Sequence, residues 1–258
     1  MESNNFTAFQ KIFDDYVAKY LQKRNDSDYK QNINLKINHS KEVFKHAVKI
    51  AKTENLTEKQ IFTAGLCGLF HDIGRFYQYY YFNTFKDTEN LYHGQIGCDV
   101  IDKENFFADL DNDTIILIRK AVYAHGLISI PEKYSEEEKF FSKITRDADK
   151  CDIFSIVSKY YKETGPRNIS LEYGLSTNPA ISENVLKSFL NNFVVSKTDL
   201  KTLNDFKLLQ ISWIYDINFS YSKDYINKNN FLTIILNTIT DNENKNKIIN
   251  HLNNMCFQ

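Results

Sequence analysis

The segment 69-LFHDIGRF-76 guides the interpretation of the whole sequence, because a His-Asp pair there follows an apolar run. The run begins after 57-TEKQ-60, a capping-box pattern in which the Thr hydroxyl and the Gln side chain satisfy free backbone groups. This pattern predicts a helix that reaches His71 and Asp72 and stops near Gly74. Adjacent side chains diverge by roughly 100° on a helix of about 3.6 residues per turn. Both side chains can therefore face metal only if the helix ends there, or if Asp72 bridges two ions.

Three further histidines lie at the ends of predicted helices. Ser40 is positioned to cap a helix that continues through the following apolar residues, so His39 is expected at the entrance of that helix. His93 opens another helix, and His125 ends one that Asp113 is predicted to cap. Helix ends converge on clefts more readily than helix middles do. We therefore expect these imidazoles to meet around one point.

A second capping box, 135-SEEE-138, opens a long helix that Gly165-Pro166 is predicted to stop. This helix carries Asp147 and Asp149, which flank an apolar stripe centred on Ala148, and periodicity does not choose between them. Neutral imidazole and carboxylate groups are ligands of Mn, Fe, Zn or Mg ions. Four histidines, the His-Asp pair and a downstream aspartate therefore indicate a metal site.

The rest of the chain is predicted to be helical as well. Residues 75–92 are rich in aromatic side chains without a clean period, which indicates a loop or a broken helix. Three or four helices are expected in the last third, around Val185–Val194, Asp199–Tyr215, Tyr225–Thr240 and Lys245–Met255. The chain has only 8 glycines and 3 prolines in 258 residues, which favours long helices over a β-sandwich or barrel. The fold class is therefore predicted to be all-α.

The order H…HD…H…H…D resembles the HD superfamily of metal-dependent phosphohydrolases, from about His39 to Asp152. Five stretches carry the resemblance: NHSKEVFKHAVKIA (38–51), LFHDIGRF (69–76), YHGQIGCDVI (92–101), VYAHG (122–126) and RDADKCD (146–152). The resemblance implies an HD-domain helical bundle with additional C-terminal helices. We expect a single domain over residues 1–258, with a metal-binding core at 30–165 and residues 166–258 packed on it.

The resemblance also implies a ligand set. The family places its closing aspartate in an Ala-Asp-Lys/Arg setting, which selects Asp149 and leaves Asp147 and Asp152 to orient a ligating imidazole or to support the structure. One divalent ion is then held by His39, His71, Asp72 and Asp149, and a second is completed by His93 and His125, with Asp72 bridging. One or two ions are expected, drawn from Mn, Fe, Mg, Ni and Zn. Such ions activate a bound water and clamp phosphoryl oxygens, and Asp72 would hold the nucleophile.

Three cationic side chains are candidate substrate contacts. Arg75 stands where several binuclear relatives carry a lysine, and its planar guanidinium offers a fork for phosphate but no transferable proton. A surface ion pair is the alternative for Arg75. Arg146 and Lys150 surround Asp149 and are positioned to neutralise phosphate charge; a solvated helix face is the alternative for both.

The composition of the chain limits its possible binding partners and its cellular compartment. The 32 Lys and Arg residues nearly balance the 33 Asp and Glu residues, so no whole-chain field draws the protein onto nucleic acid or an anionic membrane. No apolar stretch reaches the roughly 18 residues of a membrane span, and the N-terminus lacks a secretory pattern. Four separated cysteines are typical of a reducing cytoplasm. We expect a cytoplasmic protein whose partners are a small phosphoester, above all a nucleotide, and a second copy of the chain in a homodimer.

Three functions are compatible with these residues. The leading one is a phosphohydrolase acting on a nucleotide or another small phosphoester through a metal-activated water. The alternatives are an HD-type di-iron oxygenase, which uses the same six ligands, and a non-catalytic nucleotide-sensing module. The sequence has no Gly-Tyr-Pro element after the histidines, which disfavours the cyclic dinucleotide phosphodiesterase branch.

Overall fold

A computed structural model describes residues 2–162, residue 172 and residues 174–254, with the backbone alone for residues 2–5. Within those residues the chain forms helices and loops, and its β pairing is limited to isolated bridges between Thr88 and Leu91 and between Ser176 and Thr202. The predicted all-α fold is therefore confirmed. None of the helices described has the length and apolar character needed to cross a membrane.

The described residues divide into two compact units. The first comprises the chain up to Asp152 together with Asn218–Ser222, and the second comprises Ile153–Ile217 and the chain from Lys223 onward. The predicted boundary at residues 165 and 166, and the predicted helix stop at Gly165-Pro166, lie outside the described residues. The single-domain arrangement, with residues 166–258 packed on the core, stays a prediction.

The first seven helices, up to Lys162, form most of the first unit. Their bounds are α1 Glu2–Leu21, α2 Ser27–Thr53, α3 Glu58–Phe70, α4 Ile73–Phe82, α5 His93–Glu104, α6 Asn112–Ala124 and α7 Glu136–Lys162. Both predicted capping boxes are present, at Thr57 with Gln60 and at Ser135 with Glu138. Large buried rings fill the core of this unit, among them Phe13, Tyr29, Phe70, Phe76 and Phe141.

Two helix starts differ from the sequence-based expectation. His39 does not open a helix: α2 begins at Ser27 with Asp26 as its cap, so His39 lies in its middle. The reason is that Ile33 and Ile37 continue the apolar stripe upstream of Ser40, with no breaking residue between them. The cap of α6 is Asp111 rather than Asp113, since the Asp111 side chain accepts from the Thr114 backbone N–H.

The apolar helix ends earlier than predicted, and the aromatic segment is more helical than predicted. α3 ends at Phe70, and α4 occupies Ile73–Phe82, so Gly74 lies inside a helix rather than at a stop. Asn83, in the left-handed region at φ 51°, ends α4, and the chain then runs without a helix to His93. Gly74 is required where it stands, because a Cβ there would collide with the His93 carbonyl oxygen and the Gly97 backbone.

The second unit contains the shorter helices, with bounds α8 Glu183–Leu190, α9 Leu203–Ser212, α10 Ser220–Lys228, α11 Phe231–Asn237 and α12 Asn242–Asn254; α10 begins within the first unit. Single 3₁₀ turns lie at Lys197–Asp199 and Trp213–Asp216. The predicted helix Tyr225–Thr240 is two helices, because Asn230 adopts a left-handed conformation at φ 55° between them. Phe154, Val185, Phe189, Leu208 and Ile235 are fully buried in this unit.

Candidate metal centre

Six predicted ligands come together within the first unit. His39 comes from α2, His93 from the first turn of α5, and Asp149 from α7. His71 and Asp72 lie in the two-residue break between α3 and α4, and His125 directly follows α6. Two overlapping groups have ligand atoms that all lie within 4.8 Å of one another: His39, His71 and Asp72 in one, and Asp72, His93 and His125 in the other.

The break between α3 and α4 lets two adjacent residues face the same point. Asp72 leaves helical geometry, with φ −102° and ψ 16°, after His71 has ended α3. On a continuous helix the two side chains would diverge by roughly 100°. Both side chains are instead buried beside the other ligands, as expected for a helix that ends at this pair.

The first group forms around His39 and His71. Their Nε2 atoms lie 3.1 Å apart. Asp149 Oδ1 lies 3.0 Å from the His39 Nε2 and 3.6 Å from the His71 Nε2. Asp72 Oδ2 lies 3.7 Å and 3.6 Å from the same two nitrogens. Two imidazole nitrogens and two carboxylate oxygens therefore surround one small volume.

The second group forms around His93 and His125, whose Nε2 atoms lie 2.8 Å apart. Asp72 Oδ1 lies 3.5 Å from each of these nitrogens. The two oxygens of Asp72 thus face different imidazole pairs. A carboxylate in this position can bridge two cations.

Each imidazole is fixed through its outer nitrogen. The acceptors of the four Nδ1 atoms are Asp152 for His39 (2.6 Å), the Gly68 carbonyl for His71 (2.8 Å), Asp87 for His93 (2.8 Å) and the Val122 carbonyl for His125 (2.7 Å). Carbonyl and carboxylate oxygens only accept, so Nδ1 carries the proton in each ring. In the neutral form of each ring the lone pair is therefore on Nε2, and the Nε2 atoms lie close together in two pairs.

Burial and neighbouring charges set the protonation of these groups. Burial lowers the pKa of His93 to about 3 and also lowers the pKa of His71, which favours neutral rings. Burial acts against the charge on Asp72, but the Lys36 ammonium and the other neighbours outweigh it and hold the pKa of Asp72 well below its usual range. Burial would likewise lower the pKa of His39, yet its hydrogen bonds to Asp149 and Asp152 raise it to about 9.

These residues fit divalent cations. Neutral imidazole together with carboxylate is a donor set for Mn, Fe, Zn and Ni ions. Two ligand atoms at about 2.1 Å from one cation and at a right angle lie about 3.0 Å apart, close to the spacing of each imidazole pair. Nitrogen lone pairs that face each other repel unless a cation or a proton lies between them. The donor chemistry therefore matches a metal centre.

The predicted substrate contacts lie among protein acceptors. Arg75 is buried and donates to Gln78, to the Phe85 carbonyl and to Asp87, with its Nε 3.4 Å from Asp72 Oδ1. Its guanidinium therefore joins the loop after α4 to the site. A phosphate-binding role for this side chain stays a prediction.

Arg146 and Lys150, the other two predicted contacts, are both buried on α7. Arg146 donates to four backbone carbonyl oxygens at and just after the end of α6, those of Ala124, His125, Leu127 and Ile128. It therefore fixes the segment around His125. The charge of Lys150 acts on Asp147, whose pKa burial nevertheless raises. The substrate roles of both side chains remain predictions.

Two polar residues at the site escaped the sequence analysis. Asp87 accepts from the Nδ1 of His93 and from the His93 backbone N–H, and it also accepts from Arg75. Lys36 Nζ lies 2.7 Å from Asp72 Oδ2. Asp87 belongs to a segment interpreted only through its aromatic residues, and Lys36 precedes the helix start predicted at Ser40. Two signals were available in the sequence. Asp87 lies six residues before the candidate ligand His93, and Lys36 lies about one helical turn before His39.

Comparison with known proteins agrees with the geometry. The HD domain family model matches residues 37–153 of the chain. This range contains all six candidate ligands. No curated protein and no solved structure matches the chain.

Proposed function

We propose that this protein, whose residues 37–153 match the HD domain family model, is a metal-dependent phosphohydrolase. It would cleave a nucleotide or another small phosphoester with the help of two divalent cations. The single observation that carries the proposal is the position of Asp72, whose two oxygens each face a separate pair of imidazole nitrogens. A carboxylate shared between two ligand groups suits the in-line displacement of a phosphoester.

The proposed cation sites divide the six ligands. His39, His71 and Asp149 would hold one cation, His93 and His125 the other, and Asp72 both. When bound, the cations supply a hydroxide near neutral pH and an electrophilic clamp for phosphoryl oxygens.

The chain's own residues prepare this site. The acceptors on the Nδ1 atoms fix the orientation of the rings, so little reorganisation accompanies ligation. The low pKa of Asp72 keeps its carboxylate ionised as a ligand. The raised pKa of His39, about 9, means that this ring has to release a proton when a cation binds at neutral pH.

The proposal is tested by measuring metal content and phosphate release together. Protein purified without added metal is analysed for bound ions, and a panel of nucleotides and other phosphoesters is then screened with the ion found. We expect two equivalents of metal and release of phosphate from at least one ester. Asp72→Asn should abolish release, whereas His251→Gln, far along the chain in the second unit, should leave it intact.

Two results would contradict the proposal. Iron-loaded, coloured protein that consumes O₂ and releases no phosphate would favour the oxygenase, since the same ligands suit iron. Nucleotide binding that is unchanged in Asp72→Asn, without turnover by either protein, would favour the sensing module.

A further inference from the structure

Lys36 forms an ion pair with a carboxylate of the buried centre. It stands on α2, three residues before His39, and its Nζ lies 2.7 Å from Asp72 Oδ2. Its side chain is 19% exposed, whereas those of Asp72 and His39 are 4% and 3% exposed. Lys36 is therefore a cation that touches a proposed ligand and that solvent can reach.

The two arginines near the centre donate to protein acceptors. The Arg75 guanidinium donates to Gln78, Phe85 and Asp87, and Arg146 donates to backbone carbonyl oxygens at and just after the end of α6. A phosphoester brings at least one negative charge to the centre, and its oxygens require donors that can be approached. Lys36 meets that requirement better than either arginine.

The ammonium of Lys36 has the capacity for another acceptor. It has three N–H donors, of which Asp72 accepts one. On another side lies the ring of Phe85, whose centroid is 5.4 Å from Nζ and which stacks on Tyr79. The aromatic face attracts the ammonium and limits its movement. The position of Nζ is thus fixed while part of its donor set stays available.

We propose that Lys36 is a catalytic residue that donates a hydrogen bond to a phosphoryl oxygen of the substrate. This inference rests on the proposed function and deepens it, because it assigns the phosphate-binding cation to α2 rather than to the position after the His-Asp pair. The charges support the assignment: cations bound at Asp72 repel the ammonium beside it. A phosphoryl anion in contact with Lys36 offsets that repulsion.

The inference is tested by the binding of inorganic phosphate to the full chain loaded with Mn²⁺. Isothermal titration is performed on the wild type, Lys36→Met and Lys36→Arg, and bound Mn²⁺ is measured in each. The matched control is Lys45→Met, which removes an exposed lysine of the same helix that is paired with Glu42. We expect Lys36→Met to weaken phosphate binding by roughly 10- to 100-fold with its Mn²⁺ content unchanged. Lys36→Arg should retain most of the affinity, and Lys45→Met all of it.

Labelling of the wild type provides a second measurement that does not depend on a folded variant. Acetic anhydride modifies accessible lysines, and mass spectrometry reports the extent at each position. We expect inorganic phosphate to protect Lys36 in the Mn²⁺-loaded protein and to leave Lys45 unprotected.

Several outcomes would overturn the assignment. These are unchanged phosphate affinity in Lys36→Met, loss of Mn²⁺ from that variant, no phosphate binding by the wild type, or no protection of Lys36. Failure of the proposed function is a separate result: no ester is hydrolysed by the wild type. If Lys36→Met still loses phosphate affinity in that case, the anion contact stands and the hydrolysis does not.

Discussion

Nε2 of His93 lies 2.8 Å from Nε2 of His125, although each ring already donates its Nδ1 proton to an oxygen acceptor. Burial lowers the pKa of His93 to about 3, so this ring is neutral at physiological pH. A neutral ring with its proton on Nδ1 presents a lone pair at Nε2. Two such nitrogens at this distance are suited to share a cation.

The two ligand groups predict a stepwise loss of metal. His125→Ala removes a nitrogen from one group only, so bound metal should fall from two equivalents to one. Asp72→Ala removes the oxygens that face both groups and should reduce the content below one equivalent. His46→Ala, on the same helix as His39 but bonded to Tyr221, should retain two equivalents. The measurement is elemental analysis after dialysis, and equal metal content in all four proteins would exclude the proposed ligand division.

Asp87 is predicted to control the affinity of the group that contains His93. Asp87→Asn keeps the side-chain shape but weakens the acceptor that fixes the His93 ring, so the affinity for one of two Mn²⁺ ions should fall by roughly 10- to 100-fold. Glu89→Gln, an exposed change in the same segment, serves as the control and should have no effect. Competition titration against a fluorescent chelator measures both affinities. An equal loss of affinity for both Mn²⁺ ions would mean that Asp87 acts on the whole site.

Arg146 is predicted to stabilise the fold around His125. Arg146→Met leaves four backbone carbonyl oxygens without this donor, two of them in the buried residues Ala124 and His125, so the free energy of unfolding should fall by about 2–4 kcal/mol. Lys139→Met, which removes a lysine of the same helix paired with the exposed Glu136, should cost less than about 1 kcal/mol. Urea unfolding measures both. An Arg146→Met protein of normal stability with a raised KM would instead support the phosphate-binding role.

His46 predicts a pH dependence of stability. Burial lowers its pKa from about 6.5 to about 4. Below pH 6.5 the unfolded chain binds a proton that the folded chain does not accept until about pH 4, so folding stability is fully present above pH 6.5. The free energy of unfolding should therefore fall between pH 6.5 and pH 4, by up to about 3 kcal/mol from this residue.

The His46 contribution is isolated by comparing variants in urea unfolding at a series of pH values. His46→Gln should have a shallower fall than the wild type over that interval. Tyr221→Phe removes the hydroxyl that His46 contacts but keeps the imidazole buried, so it should keep the steeper fall. Parallel curves for the wild type and His46→Gln would rule out a lowered pKa at this position.

The fold class and the match to the HD domain family model could be predicted from sequence because they depend on local signals. The capping boxes at Thr57 and Ser135 and the His-Asp pair are patterns within a few residues, and the structure has both caps and a helix end at the pair. The all-α class follows from apolar spacing and the scarcity of helix breakers. These features can be predicted without knowing which distant segments of the chain are in contact.

The rest of the site depends on contacts between distant segments. The sequence predicts that α2 starts at Ser40, because Ser40 fits a cap locally. The helix starts earlier because Ile33 and Ile37, in the preceding turns, are buried in the core. Asp87 and Lys36 are ordinary charged residues in sequence, and only the folded chain brings them to His93 and Asp72. Similarly, the sequence around Arg146 does not indicate that it bonds the carbonyl oxygens at and just after the end of α6.

Asp147 has a consequence for how the protein is made. Its buried carboxylate accepts the backbone N–H groups of Asn218 and Phe219, which lie some seventy positions downstream but belong to the same unit. During synthesis Asn218 and Phe219 leave the ribosome well after the last proposed ligand, Asp149. Until then the Asp147 carboxylate lacks its two backbone donors, and the first unit cannot complete its fold. Recombinant fragments that stop near the end of α7 would share this deficit, and a minimal expressible version of the unit has to include the segment around Phe219.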